Sequence, residues 1–365
     1  MSRGRPTTAG PGRDVAVVAF TQTDLTTEYS GLSEVELLAP VIHEIKERTG
    51  LSRFGFTCSG SCDYLAGAPF SFVSALDAVG AWPPISESHV EMDAAWAMYE
   101  AWVRLQHGDI DTALVYGFGK SSQGDLRQIM TLQLDPYYLA PLGPDQVSLA
   151  ALQAQAYLRR CGAKEDDLRA VAARSRAAGL ANPHAPDLPE PAADDPYEVA
   201  PLRSYDVAPI TDGAAAIVLA AGDTARELCD RPAWIRGIDH RADAHALGAR
   251  DLSRAESARL AGERAGATRA GATRSAGIEV AELHAQFSHE ELMLCEALGL
   301  SDDVTINPSG GALAANPVMA TGLIRIGEAA ARIFDGTARR ALGHAAAGPC
   351  LQQNLVCVLE GDVDG

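Results

Sequence analysis

The chain has 365 residues, of which 47% are hydrophobic and 21% charged, values of a folded globular protein with room for two or three domains or one large two-lobed one. A formal net charge of -18 excludes a general nucleic-acid role, because phosphate binding needs clustered Lys and Arg, and the lysines Lys46, Lys120 and Lys164 leave few candidates for Schiff-base chemistry. Seven scattered cysteines, with no secretory leader before them, fit reduced thiols in a cytoplasm, and no apolar run reaches the roughly 20 residues that span a bilayer.

The first 13 residues, MSRGRPTTAGPGR, read as a flexible basic tail. From there strand and helix patterns alternate. DVAVVAF (14–20) is a β-rich run, and SEVELLAPVIHEIKERTG (33–50) has helical apolar spacing with a glycine stop. FGFTCSG (54–60), ESHVEM (87–92) and TALVYGFGK (112–120) read as strands, with FSFVSALDAVG (70–80) and DAAWAMYEAWVRLQHGD (93–109) as the helices between them. This alternation predicts a layered α/β domain with buried parallel strands. Between about residues 121 and 205 the pattern loosens into turns, two helices and a Pro-rich loop, an inserted loop domain, before ITDGAAAIVLAAG (210–222) returns to a strand.

Residues 223–365 repeat the idea. AWIRGIDHRAD and IEVAELHAQ read as strands, SRAESARLAGERAG and SHEELMLCEALGL as helices, and RRALGHAAAGPCLQQNLVCVLEG as a closing hairpin. Two α/β halves of like order, 14–222 and 223–365, imply an architectural duplication with one active site between the halves.

ITDGAAAIVL, NPSGGALAANPVMATG, the His-x-x-Phe run HAQF and the Gly/Ala-rich hairpin together resemble the thiolase superfamily over nearly the whole chain. The stretch GFTCSGSCDYLAG through SESHVEMDAAWAMYEAWV is similar to its actinobacterial lipid-transfer-protein, sterol-carrier-type branch, whose members act on steroid side chains as coenzyme A thioesters. The resemblance implies an α/β thiolase fold: two similar halves in a layered αβαβα arrangement with an inserted loop domain.

It also implies a site. A thiolase needs a nucleophilic cysteine at a helix N-terminus, where free N–H groups and the helix dipole lower the thiol pKa and hold the acyl oxyanion. That place falls at Ala94 in VEMDAAW, with Asp93 before it and Trp96 where a small residue is expected. The Gly-His-Pro loop becomes ALAANPVMATG, with Asn316 nearest the histidine. Asparagine donates hydrogen bonds and is no base at neutral pH. At the closing loop Ala346 or Ala347 falls near the second cysteine, with Gly348 and Cys350 a little further on.

His284 in LHAQF and His344 in ALGHAAAG match ring positions around the thioester carbonyl. A polar shell without a nucleophile suits retro-aldol cleavage of a β-hydroxyacyl-CoA, which needs a base and enolate donors and forms no covalent intermediate. His284, His344 and Asn316 are then the expected catalytic groups, with Asp93, Ala94, Trp96, Gly348 and Cys350 lining the substrate site. The steroid side-chain aldolases of this superfamily use tyrosines where His284 and the Asn316-Pro317 segment stand here.

The resemblance further implies an acyl-CoA substrate, a zinc-ribbon/OB-fold acyl-CoA-binding partner, and a homodimer or a pair with a thiolase-like paralogue. Coenzyme A enters as part of the substrate, with no tightly bound cofactor and no metal, and no membrane or nucleic acid is expected. Two rivals stay open: a thiolase or acyltransferase using Cys350, and a non-catalytic subunit of a heteromer. Asp93 reads equally as a helix cap, NPSGG as tight chain packing near the site, and Cys58 with Cys62 as a weak zinc pair.

Overall fold

The computed structural model describes residues 12–27, 31–67, 69–268 and 274–362, so residues 1–11 of the expected basic tail lie outside the described part. In chain order the first half comprises β1 (Val15–Gln22), α1 (Glu34–Thr49), β2 (Phe56–Gly60), α2 (Asp63–Ala66), α3 (Phe72–Val79), β3 (Glu87–Val90), α4 (Ala94–Gln106) and β4 (Thr112–Lys120). Between β4 and the strand that completes this half come α5 (Leu126–Thr131), α6 (Gln146–Cys161), α7 (Glu165–Leu180), β5 (Tyr197–Val199) and β6 (Leu202–Arg203). The half is completed by β7 (Asp212–Ala221) and α8 (Gly222–Leu228). The second half comprises β8 (Ala233–Ala242), α9 (Glu256–Ala265), β9 (Val280–Glu282), α10 (Ser288–Ala297), β10 (Thr305–Ile306), α11 (Gly311–Ala314), α12 (Thr321–Phe334), β11 (Arg340–Ala347) and β12 (Gln353–Glu360).

Ten strands hydrogen-bond in the order β10-β9-β11-β12-β8-β1-β7-β4-β2-β3. Leaving aside β5 and β6, which pair with each other, each half runs outward from the β1–β8 seam through its first, fifth, fourth, second and third strand. Directions repeat as well: β2 is parallel to β3 and β4, as β9 is to β10 and β11, whereas β7 and β12 are antiparallel to both their neighbours. The sheet is therefore mixed, where the alternating pattern predicts parallel strands. The antiparallel pairs are β4–β7, joined through the insert, β11–β12, joined by a tight turn, and β1–β7, β1–β8 and β8–β12 around the seam.

Side-chain alternation builds the layers. On β4, Ala113 and Val115 face a central core with Trp96 and Met98 of α4 and Ile324 of α12, while Leu114, Tyr116 and Phe118 face Leu38, Ile42 and Ile45 of α1. In the second half, Leu342, Val356 and Val358 face α9 and α10 through Ala258, Ala261 and Leu294. The order is helix, sheet, the α4/α12 pair, sheet, helix. A helix between two sheets is buried on all sides, which is why α12 carries Leu323, Ile324, Ile326, Ala329 and Ala330 on successive faces. The one charged side chain it fully buries in this layer, Arg325, is paired with Glu282 at 2.9 Å.

The central helices come close because the strands facing them are stripped of side chains. A Cβ on Gly117 would stand 2.6 Å from the Ala94 Cβ, and one on Gly60 would strike the Ala94 backbone. Both central helices thus start at one end of the molecule, deep between the sheets.

Candidate active site

At those two helix starts lies a cleft of about 370 Å³. Its walls are the turn after β2 (Cys62, Tyr64), the β3–α4 turn (Glu91 to Asp93), the segment after β9 (His284, Gln286), Val318 and Met319 before α12, and the β11–β12 turn from Ala346 to Pro349. The insert covers it with Met130, Gln133 and Gln146. A larger hollow of about 610 Å³ lies against α9 and α10, but its Arg160, Arg254 and Arg259 are paired with Glu256, Glu263 and Glu296 at the surface.

Asp93 is the residue on which the helix starts converge. One carboxylate oxygen accepts the Ala95 N–H of α4 at 2.8 Å and the Leu323 N–H of α12 at 3.2 Å; the other accepts the Gly322 N–H at 2.8 Å. The capping expectation is met, and on two helices at once. Burial raises its pKa to about 6 against the three N–H donors and Arg325, which lower it. Ala94 is turned the other way. It is fully buried against Gly60 and Gly117, its N–H donates to the Met319 carbonyl at 2.9 Å, and it takes no part in the cleft wall. Position 93, rather than 94, borders the cleft, with 2% of its surface exposed.

His284 follows the end of β9 and looks into the cleft. Its Nδ1 accepts the Ala346 N–H at 3.3 Å, which puts the ring proton on Nε2; the Gln286 side-chain amide, 3.3 Å from Nε2, matches that tautomer when its oxygen rather than its NH2 is turned to the ring. Burial pushes the imidazole down to about 3, helped by His344 and Arg325, so the ring is neutral at pH 7 and acts as a donor through Nε2. The strand stops at Glu282, four residues earlier than the IEVAELHAQ pattern predicts, because Leu283 N–H leaves the ladder for the Asn307 side chain at 2.6 Å.

The NPSGG loop is what fixes this strand end. Ser309 donates to both Glu282 oxygens, at 3.0 Å through its N–H and 2.6 Å through its hydroxyl, and Asn307 donates to Glu291 at 2.7 Å. These groups are occupied by neighbouring chain, in line with the packing reading rather than a phosphate cradle.

Besides Ala94, four of the expected residues lie away from the cleft. His344 is fully buried on the strand face it shares with Leu342. Asn354 donates to Ser257 and to the Leu351 carbonyl, both at 2.8 Å, so its Oδ1 can only accept, and His344 Nε2 donates to it at 2.9 Å. His344 Nδ1 is then an unprotonated, unpartnered nitrogen, and burial holds the ring at about 4. Asn316 accepts from the Thr321 hydroxyl at 2.7 Å and borders a neighbouring hollow of about 330 Å³, which shares Gln146 and Gln286 with the cleft. Trp96 is core, its ring 6.5 Å from that of His240. Cys350 points its thiol at the Leu149 carbonyl, 3.3 Å away, among Leu134 and Leu149, and burial pushes it up to about 12. Gly348 does reach the cleft wall.

Cys62, Tyr64, Glu91, His245 and Gln286 complete the wall without having been singled out for it. Cys62 was legible only as half of a weak zinc pair; its thiol is raised by burial and by the Glu91 carboxylate, and so stays protonated. Gln286, two residues past the motif histidine, is the one that spacing offered. Among the described residues no group of three or more His, Cys, Asp or Glu side chains is arranged to hold a metal ion. None of the helices is long and apolar enough to cross a membrane, again among the described residues.

No family model matches the sequence. The acetyl-CoA acetyltransferase of Methanothermobacter thermautotrophicus is 28% identical over 138 residues, which cover 33% of this chain and 36% of that protein. The match therefore spans about a third of the relative's length. In solved structures, the Ltp2-ChsH2(DUF35) aldolase superposes with a TM-score of 0.77 at 19% identity, covering 97% of this chain and 99% of that one. Human mitochondrial 3-ketoacyl-CoA thiolase superposes with a TM-score of 0.74 at 14% identity, covering 96% and 99%. The chain has the thiolase fold. Together with the partial sequence match, these structures support a relationship at the level of the thiolase superfamily. Within the thiolase fold, this chain places a carboxylate, and no thiol, at the start of the two central helices.

Proposed function

We propose that the protein is an acyl-CoA-binding carbon–carbon lyase that cleaves a β-hydroxyacyl-CoA by retro-aldol chemistry. The observation that carries this reading is a cleft with a neutral imidazole donor and no available nucleophile: Ala94 is sealed in the core, Cys350 is turned to Leu149, and Cys62 is held as a thiol. Covalent acyl transfer through a cysteine needs its thiolate. Retro-aldol cleavage needs only a proton acceptor and a donor for the developing enolate oxygen.

In this reading His284 Nε2–H, backed by Ala346 on Nδ1, binds the thioester oxygen, and the β11–β12 turn at Gly348 closes over it. His344 supports that wall from behind. The likeness to a chain known as an aldolase favours lyase over transferase chemistry. A steroid or related side chain as acyl group, a zinc-ribbon/OB-fold protein as partner, and a homodimer or thiolase-like paralogue as assembly are part of the same proposal.

The test is to incubate the purified chain, alone and with such a partner, with a steroidal β-hydroxyacyl-CoA and to follow short acyl-CoA release by mass spectrometry. Release without added coenzyme A supports the lyase, because thiolysis consumes coenzyme A. Release only when coenzyme A is added supports a transferase. Silence on this substrate and on its β-keto analogue leaves a non-catalytic subunit.

A further inference from the structure

We infer that Asp93 is the general base of the cleft: its carboxylate takes the β-hydroxyl proton and later returns it to the α-carbon. The inference rests on the lyase reading and names the group that reading leaves open.

The carboxylate is built into its place. It bridges the first turns of α4 and α12 through three backbone N–H groups, and the fold makes room for it at Gly322. A Cβ at Gly322 would stand 2.6 Å from an Asp93 oxygen and 2.5 Å from the Ala345 Cβ, so only glycine lets the helix close on the carboxylate. Yet Asp93, only 2% exposed, also forms part of the wall of the cleft that His284 lines. A purely structural double cap has no need of that second property.

The other titratable groups of the wall are worse placed for the task. His284 presents its proton-bearing Nε2, because Nδ1 is held by Ala346. Cys62 is kept protonated by burial and Glu91. Glu91 is exposed and accepts the Asp63 N–H at 2.6 Å, Tyr64 is 58% exposed, and His245 is exposed. The positive charge nearest Asp93 is Arg325 of α12. Burial outweighs that charge and the N–H donors and brings the carboxyl to about 6, close to the pH at which a base is both ionised and able to hold a proton.

The step balances without a co-reactant. Asp93 removes the proton of the β-hydroxyl, the oxygen's electron pair forms the carbonyl of the released ketone or aldehyde, and the Cα–Cβ bond breaks. Its electron pair moves onto the thioester as an enolate, held by His284 Nε2–H. Protonation of the α-carbon by the Asp93 carboxyl then gives the acyl-CoA and regenerates the carboxylate.

The experiment is the pH dependence of kcat/KM for cleavage of a β-hydroxyacyl-CoA by the wild-type chain with its partner, and by Asp93→Asn, Glu91→Gln and His284→Gln. The wild type is expected to lose activity below about pH 6. Asp93→Asn should lower kcat/KM by roughly 10²-fold or more and abolish that acidic limb; Glu91→Gln and His284→Gln should keep the limb, whatever their rates. Asparagine still caps a helix, so unfolding is not the expected cause, and circular dichroism checks it. Should Asp93→Asn fail to fold, the Glu91→Gln profile decides: a limb that survives supports Asp93, and one that vanishes overturns it. An active, folded Asp93→Asn with the limb intact also overturns it while leaving the lyase reading in place. A wild type that cleaves no β-hydroxyacyl-CoA removes both.

Discussion

Replacing His344 by glutamine separates a ring that supports the wall from one that handles substrate. The ring titrates near 6.5 in an unfolded chain and near 4 when folded, because it is fully buried and donates only to Asn354. A depressed folded value means that the stabilisation from the neutral ring is present above 6.5 and is lost as pH falls toward 4. Between pH 7 and pH 5 the unfolded chain binds most of one proton that the folded ring refuses. At roughly 1.4 kcal/mol per pKa unit this costs about 2 kcal/mol of stability. His344→Gln removes that term, so its stability should fall by about 2 kcal/mol less than the wild type's over the same interval. Asp93, Asp206 and Glu290, whose values are raised by burial, move the other way, but in both proteins equally. Urea unfolding at pH 7 and pH 5 measures the difference. Equal pH dependence in the two proteins, or a loss of cleavage as deep as that of His284→Ala, would refute the supporting role.

Arg325→Ala leaves the Glu282 carboxylate buried without its partner, and should destabilise the chain by about 3–5 kcal/mol in the same unfolding assay. His284→Ala should lower cleavage by roughly 10²–10³-fold, the usual effect of removing one oxyanion donor, with the unfolding midpoint changed far less. Cys350→Ser should leave cleavage within a few-fold of wild type, because the thiol contacts only Leu149 and its neighbours.

Much of the architecture was legible because it is written in periodicities. The alternation of β-rich runs with helical spacing located the strands that carry the layers, and the like order of the two halves announced the repeated strand order. Strand direction was not legible: the antiparallel β7 and β12 are buried as continuously as β2 and β4, which pair in parallel, since all are covered on both faces. His284 was found because its motif sits at a strand end, where side chains of a layered α/β fold meet ligands. His344 stands in as good a motif, but strand alternation sends it to the outer face, and one residue of register decides that. That Asp93 rather than Ala94 borders the cleft was hidden for a similar reason. A helix start aligns by its pattern only to within a residue, while the cleft is sensitive to which of two successive side chains caps the helix. Glu91 and His245 come from loops, where no period marks a position, and Tyr64 from α2, whose 4 residues are too few to show one.

The central claim is that this cleft breaks a carbon–carbon bond without an acyl-enzyme. The most direct measurement is the identity of the fragment that leaves without coenzyme A, determined by mass spectrometry after the chain and its partner have acted on a β-hydroxyacyl-CoA. One ketone or aldehyde released for each acyl-CoA formed, with no dependence on free coenzyme A and no acylated protein, is the predicted result. A second acyl-CoA in place of the carbonyl fragment, or a covalent acyl adduct on any cysteine, would contradict it.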